Sequence, residues 1–156
     1  MPEVVVIDYG LGNLLSVRRG LEHCGAKVTI TSDPDIILSA SRVVLPGVGA
    51  FAHGMAELRS RGLDSVICKV ATQGSILLGI CLGMQLMTKG SEEGSEKGLG
   101  WFDANTKKFE FEKGYKVPHM GWNYVKPIND KNSFLFNDKN YRFYFVHSYY
   151  VKSNNI

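Results

Sequence analysis

Apolar positions along this chain follow two periods that alternate. Val4 to Ile7 (VVVI) is a continuous β-branched run, the pattern of a strand covered on both faces of a sheet. Asn13 to Cys24 (NLLSVRRGLEHC) then places Leu14, Val17 and Leu21 at helical spacing, and Gly25 closes the segment. Lys27 to Thr31 returns to strand. Ser32 to Ile37 (SDPDII) opens a short helix with a capping residue and an early proline. Arg42 to Leu45 (RVVL) is a third strand that ends in PGVG, Met55 to Val70 is one helix by its period, and Ser75 to Ile80 is a fourth strand followed at once by a helix from Leu82. This alternation predicts an α/β fold with an open, mostly parallel sheet and flanking helices. From Leu99 the texture changes to aromatic, alternating segments, KKFEFEKGYKV and NYRFYFVHSYYV, which predict antiparallel strands and hairpins in the C-terminal third.

Composition narrows the function classes. With 156 residues the chain is expected to be one domain, 1–156. Hydrophobic residues make up 44% and charged residues 21%, and a net charge of +3 spread over the chain does not point to nucleic acid. Small molecules or proteins are the expected partners. The three cysteines, Cys24, Cys68 and Cys81, include no CxxC pair, which argues against a disulfide framework and against a metal site and fits a reducing cytoplasm. The start MPEVVVIDYG reads as a first strand rather than a signal peptide, and no run reaches membrane-spanning length.

In open parallel sheets ligands bind beyond the carboxyl ends of the strands, which directs attention to three loops: DYGLGN, PGVG and GICLG. In GICLG, Gly79 and Gly83 bracket Cys81 at the spacing of a nucleophile elbow, where a strained strand-to-helix turn leaves no room for neighbouring side chains. The helix that starts at Leu82 aims its first amides at the sulfur, and the amide after the nucleophile is placed to bind an oxyanion. A free cysteine is more often a core residue, and that is the expected fate of Cys24 and Cys68, which lack the glycine bracket. The glycines of PGVG let backbone N–H groups approach a developing negative charge. DYGLGN is not a dinucleotide fingerprint, because Leu15 stands where the third glycine would be, so no nucleotide cofactor is expected.

DYGLGN, LPGVGAF, LLGICLGMQLM, the SEE-G segment, PHMGWN (118–123) and YFVHSY (144–149), in that order, resemble the class I (triad) glutamine amidotransferases, and among them the glutaminase subunit of imidazole glycerol phosphate synthase. The resemblance runs through nearly the whole chain. It implies hydrolysis of glutamine to glutamate through a cysteine thioester, without a cofactor or metal. It further implies that the ammonia passes to a (β/α)8-barrel synthase subunit, in a heterodimer that makes the imidazole ring in histidine biosynthesis. By matching position, Cys81 would be the nucleophile, and Val48, Gly49 and Leu82 would supply the oxyanion hole. Gln85, Ser148 and Tyr149 would line the glutamine pocket. Asn13 and the run His119, Met120, Gly121, Trp122 and Asn123 would face the synthase.

A cysteine glutaminase also needs a base and a group that orients it. In the family this is a His-x-Glu pair beyond the HSY segment. Of the four histidines here, His23, His53, His119 and His147, none is followed two places on by a carboxylate. The ending YYVKSNNI reads as a strand running into an open polar turn, so the chain is expected to lack the family's C-terminal part and to be inactive as it stands. By residue type alone, His119 and His147 read as hydrogen-bonded structural histidines. Two other readings remain. Chaperone- and protease-like proteins on the same elbow carry histidine directly after the nucleophile, where Leu82 stands here. A non-catalytic subunit, or one serving another synthase such as one that amidinates a sugar precursor, would keep the partner surface without this turnover.

Overall fold

The computed structural model describes residues 1–110, 116–126 and 141–154, which divide into two compact units, 1–107 with 151–156, and 108–150. In the first unit the order is β1 (Glu3–Ile7), α1 (Leu14–His23), β2 (Lys27–Thr31), α2 (Pro34–Ser39), β3 (Arg42–Leu45), α3 (Phe51–Ser60), α4 (Leu63–Thr72), β4 (Ile76–Gly79), α5 (Leu82–Leu86) and β5 (Ala104–Lys108). The strands β2-β1-β3-β4 form one sheet in which each adjacent pair is parallel. The α/β architecture expected from the alternating periods is therefore the one observed.

The continuous apolar run of β1 has its reason in two cores. Val5 and Ile7 point into a cluster with Val43, Leu45 and residues of α2 to α5, while Val4 and Val6 join Val28 and Val44 on the opposite face. There α1 lays Leu14, Val17 and Leu21 over them. That helix starts where Asn13 Oδ1 accepts from the Ser16 N–H at 3.2 Å, and α2 starts where Asp33 accepts from Asp35 N–H at 2.9 Å with Pro34 behind it.

The single helix expected over 55–70 is instead two. The apolar period runs on through Leu58, Leu63 and Ile67, all buried, but Gly62 takes φ +67 and turns the backbone between α3 and α4. Helix α3 also begins earlier than expected, at Phe51, because the first N–H is satisfied from a distance by Glu93. Beyond α5, the segment 87–102 folds back with few regular elements. Leu99 N–H donates to Leu86 O at 2.8 Å and Gly98 lies against Thr88 O, too close for any side chain. β5 is paired with β8 (Tyr149–Ser153), whose last residues return to this unit, and Asn154 N–H donates to Asp103 O at 3.1 Å.

In the second unit β6 (His119–Val125) and β7 (Tyr141–His147) form an antiparallel pair with His119 opposite His147 and Trp122 opposite Tyr144. The expected antiparallel texture is present, with two differences. PHMGWN, read only as a motif, opens a strand, and YRFYFVHSYYV is two strands broken at Ser148. Residues 111–115 of the KKFEFEKGYKV segment, Asn140 and the final Asn155–Ile156 lie outside the described residues.

Candidate active site

The loops after β1, β3 and β4 carry the chemistry-bearing residues of the first unit. Cys81 follows β4, caps the start of α5 and is exposed, at φ 54 and ψ −115, the one non-glycine residue with positive φ among those described. Such a backbone is strained for an L residue and is held only because its surroundings leave no alternative. The flanking glycines show what those surroundings are. A Cβ on Gly79 would stand 2.6 Å from Met84 Cα, and one on Gly83 would overlap the Leu45 carbonyl oxygen. The turn brings β4, α5 and the end of β3 together by backbone alone, and it lifts the Cys81 side chain clear of them.

PGVG is packed against the same turn. A Cβ on Gly47 would overlap the Tyr9 hydroxyl and lie 2.9 Å from Leu82 Cβ and 3.0 Å from Gly83 N. Tyr9, in the loop just after β1 and fully buried, donates its O–H to Pro46 O at 2.7 Å. Burial, with the charge of the neighbouring Cys81 as the smaller cause, holds the phenol well above its ordinary range, so the hydroxyl stays a donor. At the other end of the loop, Glu93 Oε2 accepts from the Phe51 N–H at 2.7 Å. Between these two anchors Val48 is exposed, and Gly49 sits at φ +107 with open space around it.

Leu82 contributes a backbone amide at the head of α5, while its side chain is buried in the core. Gln85 is buried on the same helix, and its N–H donates to Cys81 O at 3.2 Å. The structure thus brings Cys81, Leu82, Gln85 and the PGVG loop into one neighbourhood. Cys24 departs from its expected place in the core: it is exposed at the end of α1, and Cys68 is partly buried. Asn13 already serves as the cap of α1 through its side-chain oxygen.

Five of the remaining candidates lie on β6 and two follow β7. Strand alternation divides the run 119–123: Met120 and Trp122 share one face with Tyr124 and are each about 60% exposed, whereas His119, Gly121 and Asn123 point the other way. The five were expected to face a partner, and the strand presents them on two opposite faces. On the Trp122 face, Tyr144 meets the indole edge-on at 5.7 Å between centroids and Arg142 lies 5.6 Å from it.

On the opposite face a directional chain of hydrogen bonds fixes both histidines. His147 Nδ1 faces the Tyr149 carbonyl at 2.8 Å and must carry the proton, so its Nε2 accepts from His119 Nδ1 at 3.0 Å. His119 Nε2 is then left to accept from Asn123 Nδ2 at 3.4 Å. Phe109 and Phe145 surround the pair with ring contacts. With its Nε2 lone pair engaged by His119, His147 offers no ready base. Ser148 and Tyr149 enter this network through backbone: Ser148 O accepts from Phe109 N–H at 3.0 Å, and Tyr149 O from His147.

Sequence reasoning passed over Tyr9 and Glu93. The only signals were a tyrosine in the DYGLGN loop after the first strand and a carboxylate in the SEE-G segment, and neither announces a partner 37 or 42 residues away. Among the described residues no three His, Cys, Asp or Glu side chains gather as metal ligands, and no helix is long and apolar enough to cross a membrane.

Comparison with known proteins adds the following. The family model "Glutamine amidotransferase class-I" matches residues 5–156. The chain is 49% identical over 150 residues to imidazole glycerol phosphate synthase subunit HisH 2 of Methanococcus maripaludis, covering 95% of this chain and 74% of that one. It is 46% identical over 154 residues to the HisH subunit of Acaryochloris marina, covering 97% and 71%. Among solved structures, a glutamine amidotransferase from Thermotoga maritima superposes with a TM-score of 0.61 at 18% identity, covering 99% of this chain and 64% of that one, a likeness of fold. The chain therefore spans less than two thirds of that structure and nearly three quarters of the two subunits.

Proposed function

Because the chain belongs to the class-I glutamine amidotransferase family, we propose that it is the glutaminase part of an imidazole glycerol phosphate synthase in histidine biosynthesis. The observation that carries this is Cys81, exposed at positive φ between two glycines that admit no side chain and beside a glycine loop anchored at both ends.

The Cys81 sulfur attacks the carboxamide carbon of glutamine. The carbonyl electrons move onto oxygen, which the amides of Leu82 and of the Val48–Gly49 segment receive. Collapse of this intermediate expels ammonia, protonated by a general acid, and leaves a γ-glutamyl thioester that water hydrolyses to glutamate. Gln85 lines the substrate pocket on the Cys81 side, and the Met120–Trp122 face of β6 docks the barrel synthase that consumes the ammonia. The general acid and base is the family's His-x-Glu pair, absent from these 156 residues, and His147 does not substitute while both its nitrogens are committed.

Labelling with a glutamine-mimicking electrophile, followed by peptide mapping, tests the assignment. Cys81 is expected to be modified stoichiometrically and ahead of Cys24, whose exposure makes it an internal control. Label distributed by exposure alone would show that Cys81 is an ordinary surface thiol. Steady-state hydrolysis is expected to be lower by about 10⁴-fold or more than in a chain that includes the His-x-Glu pair, because base and orienter act as a unit with the nucleophile. Ammonia release assayed with and without that segment measures this.

A further inference from the structure

We propose that Tyr9 is a positioning residue for the oxyanion-binding loop. The proposal rests on the reading of Cys81 as nucleophile and adds a role for Tyr9, a residue of the DYGLGN loop to which no function was assigned above.

Pro46 has no N–H, so at the start of the PGVG loop its carbonyl is the one backbone handle, and that handle is held by a fully buried hydroxyl at 2.7 Å. The contact orients the Pro46–Gly47 peptide, and the neighbouring amides follow from it. Gly47 is the point of closest approach: it is wedged between the Tyr9 hydroxyl on one side and Leu82 and Gly83 on the other. Movement of the tyrosine oxygen is therefore transmitted to the loop and to the head of α5, the two elements that supply amides around Cys81. Glu93 secures the far end through the Phe51 N–H, leaving only Val48 to Ala50 between the anchors. The hydroxyl touches no substrate. It fixes where the amides stand before charge develops, the condition under which such donors are effective.

The test separates reactions at one sulfur that do and do not need an oxyanion. With the γ-p-nitrophenyl ester of glutamate, Cys81 adds to the ester carbonyl, an oxyanion forms, and its collapse releases p-nitrophenolate and leaves the thioester. This single turnover needs no acid for the leaving group. With iodoacetamide the same sulfur displaces iodide and no carbonyl addition occurs. Tyr9→Phe is expected to slow the Cys81-dependent nitrophenolate burst by about 10- to 100-fold while changing the alkylation rate less than about twofold. Tyr9→Met, a flexible filler without a donor, should show the same selectivity and covers the case in which the first variant folds poorly. An unchanged burst in both folded variants overturns the proposal. So does a parallel fall of burst and alkylation with melting temperature, which would make Tyr9 merely structural. If the unsubstituted chain itself gives no burst that Cys81→Ala abolishes, the glutaminase reading fails and this inference falls with it.

Discussion

The Cys81 turn and the β6–β7 ribbon solve opposite problems. At the turn three backbone segments meet so closely that Gly79, Gly47 and Gly83 are required by the absence of space, and the single projecting group is a strained cysteine. On the ribbon, Met120, Trp122 and Tyr144 stand out from a regular antiparallel ladder with their side chains exposed. The first region places its chemistry by excluding side chains, and the second by displaying them. Substitution should therefore act on stability in the first region and on association in the second.

The largest effect belongs to Gly83→Ala. Its methyl would fall on the Leu45 carbonyl oxygen, a backbone atom that cannot swing away, and a loss of about 3 kcal/mol or more in urea unfolding is expected. A loss below about 1 kcal/mol would mean that the turn yields more readily than its contacts imply. Cys81→Gly reverses the sign. Removing an L side chain from φ 54 should raise stability by roughly 1 kcal/mol while abolishing electrophile labelling at that position, so stability and reactivity part company at one residue. Trp122→Ala should cost about 0.5 kcal/mol, the value of an exposed aromatic contact, and should weaken binding to a barrel synthase far more than that. A melting temperature that falls as steeply as affinity would place the indole in a core after all.

The smallest effect tests the frame around the turn. Hydrogen bonds from Lys89 and Asn154, then the Lys89 charge, hold the Asp103 carboxyl below its ordinary value. Its stabilising contribution is present above the usual carboxylate range and disappears as pH falls through the lowered folded value. Asp103→Asn should flatten that part of the acid unfolding profile and leave neutral-pH stability nearly unchanged, as expected of an exposed pair.

Much of the parallel sheet was legible because VVVI, RVVL and the helical spacing of Leu14, Val17 and Leu21 each report burial by local pattern. The break between α3 and α4 was not, since hydrophobic period continues across Gly62 and carries no information about the sign of φ. β6 was hidden by His119, Gly121 and Asn123, residues of low strand preference whose pairing with β7 is non-local. Of the site, the glycine spacing around Cys81 could be read directly, because steric exclusion leaves a composition trace. The anchors of PGVG left none. Hydrogen bonds from Tyr9 and Glu93 join points distant in sequence, and either residue type would look ordinary in its own segment.

The Glu93 contact also bears on the order in which the chain assembles. Helix α3 has no side-chain cap of its own at Ala50, and its first N–H takes its partner from a residue 42 positions later. During synthesis that donor stays with water until the segment after α5 has emerged and closed a loop across three helices and a strand. The PGVG loop therefore acquires its second anchor late. A growing chain exposes Cys81 before the frame around the PGVG loop is complete, so the geometry of that loop is among the last features to mature.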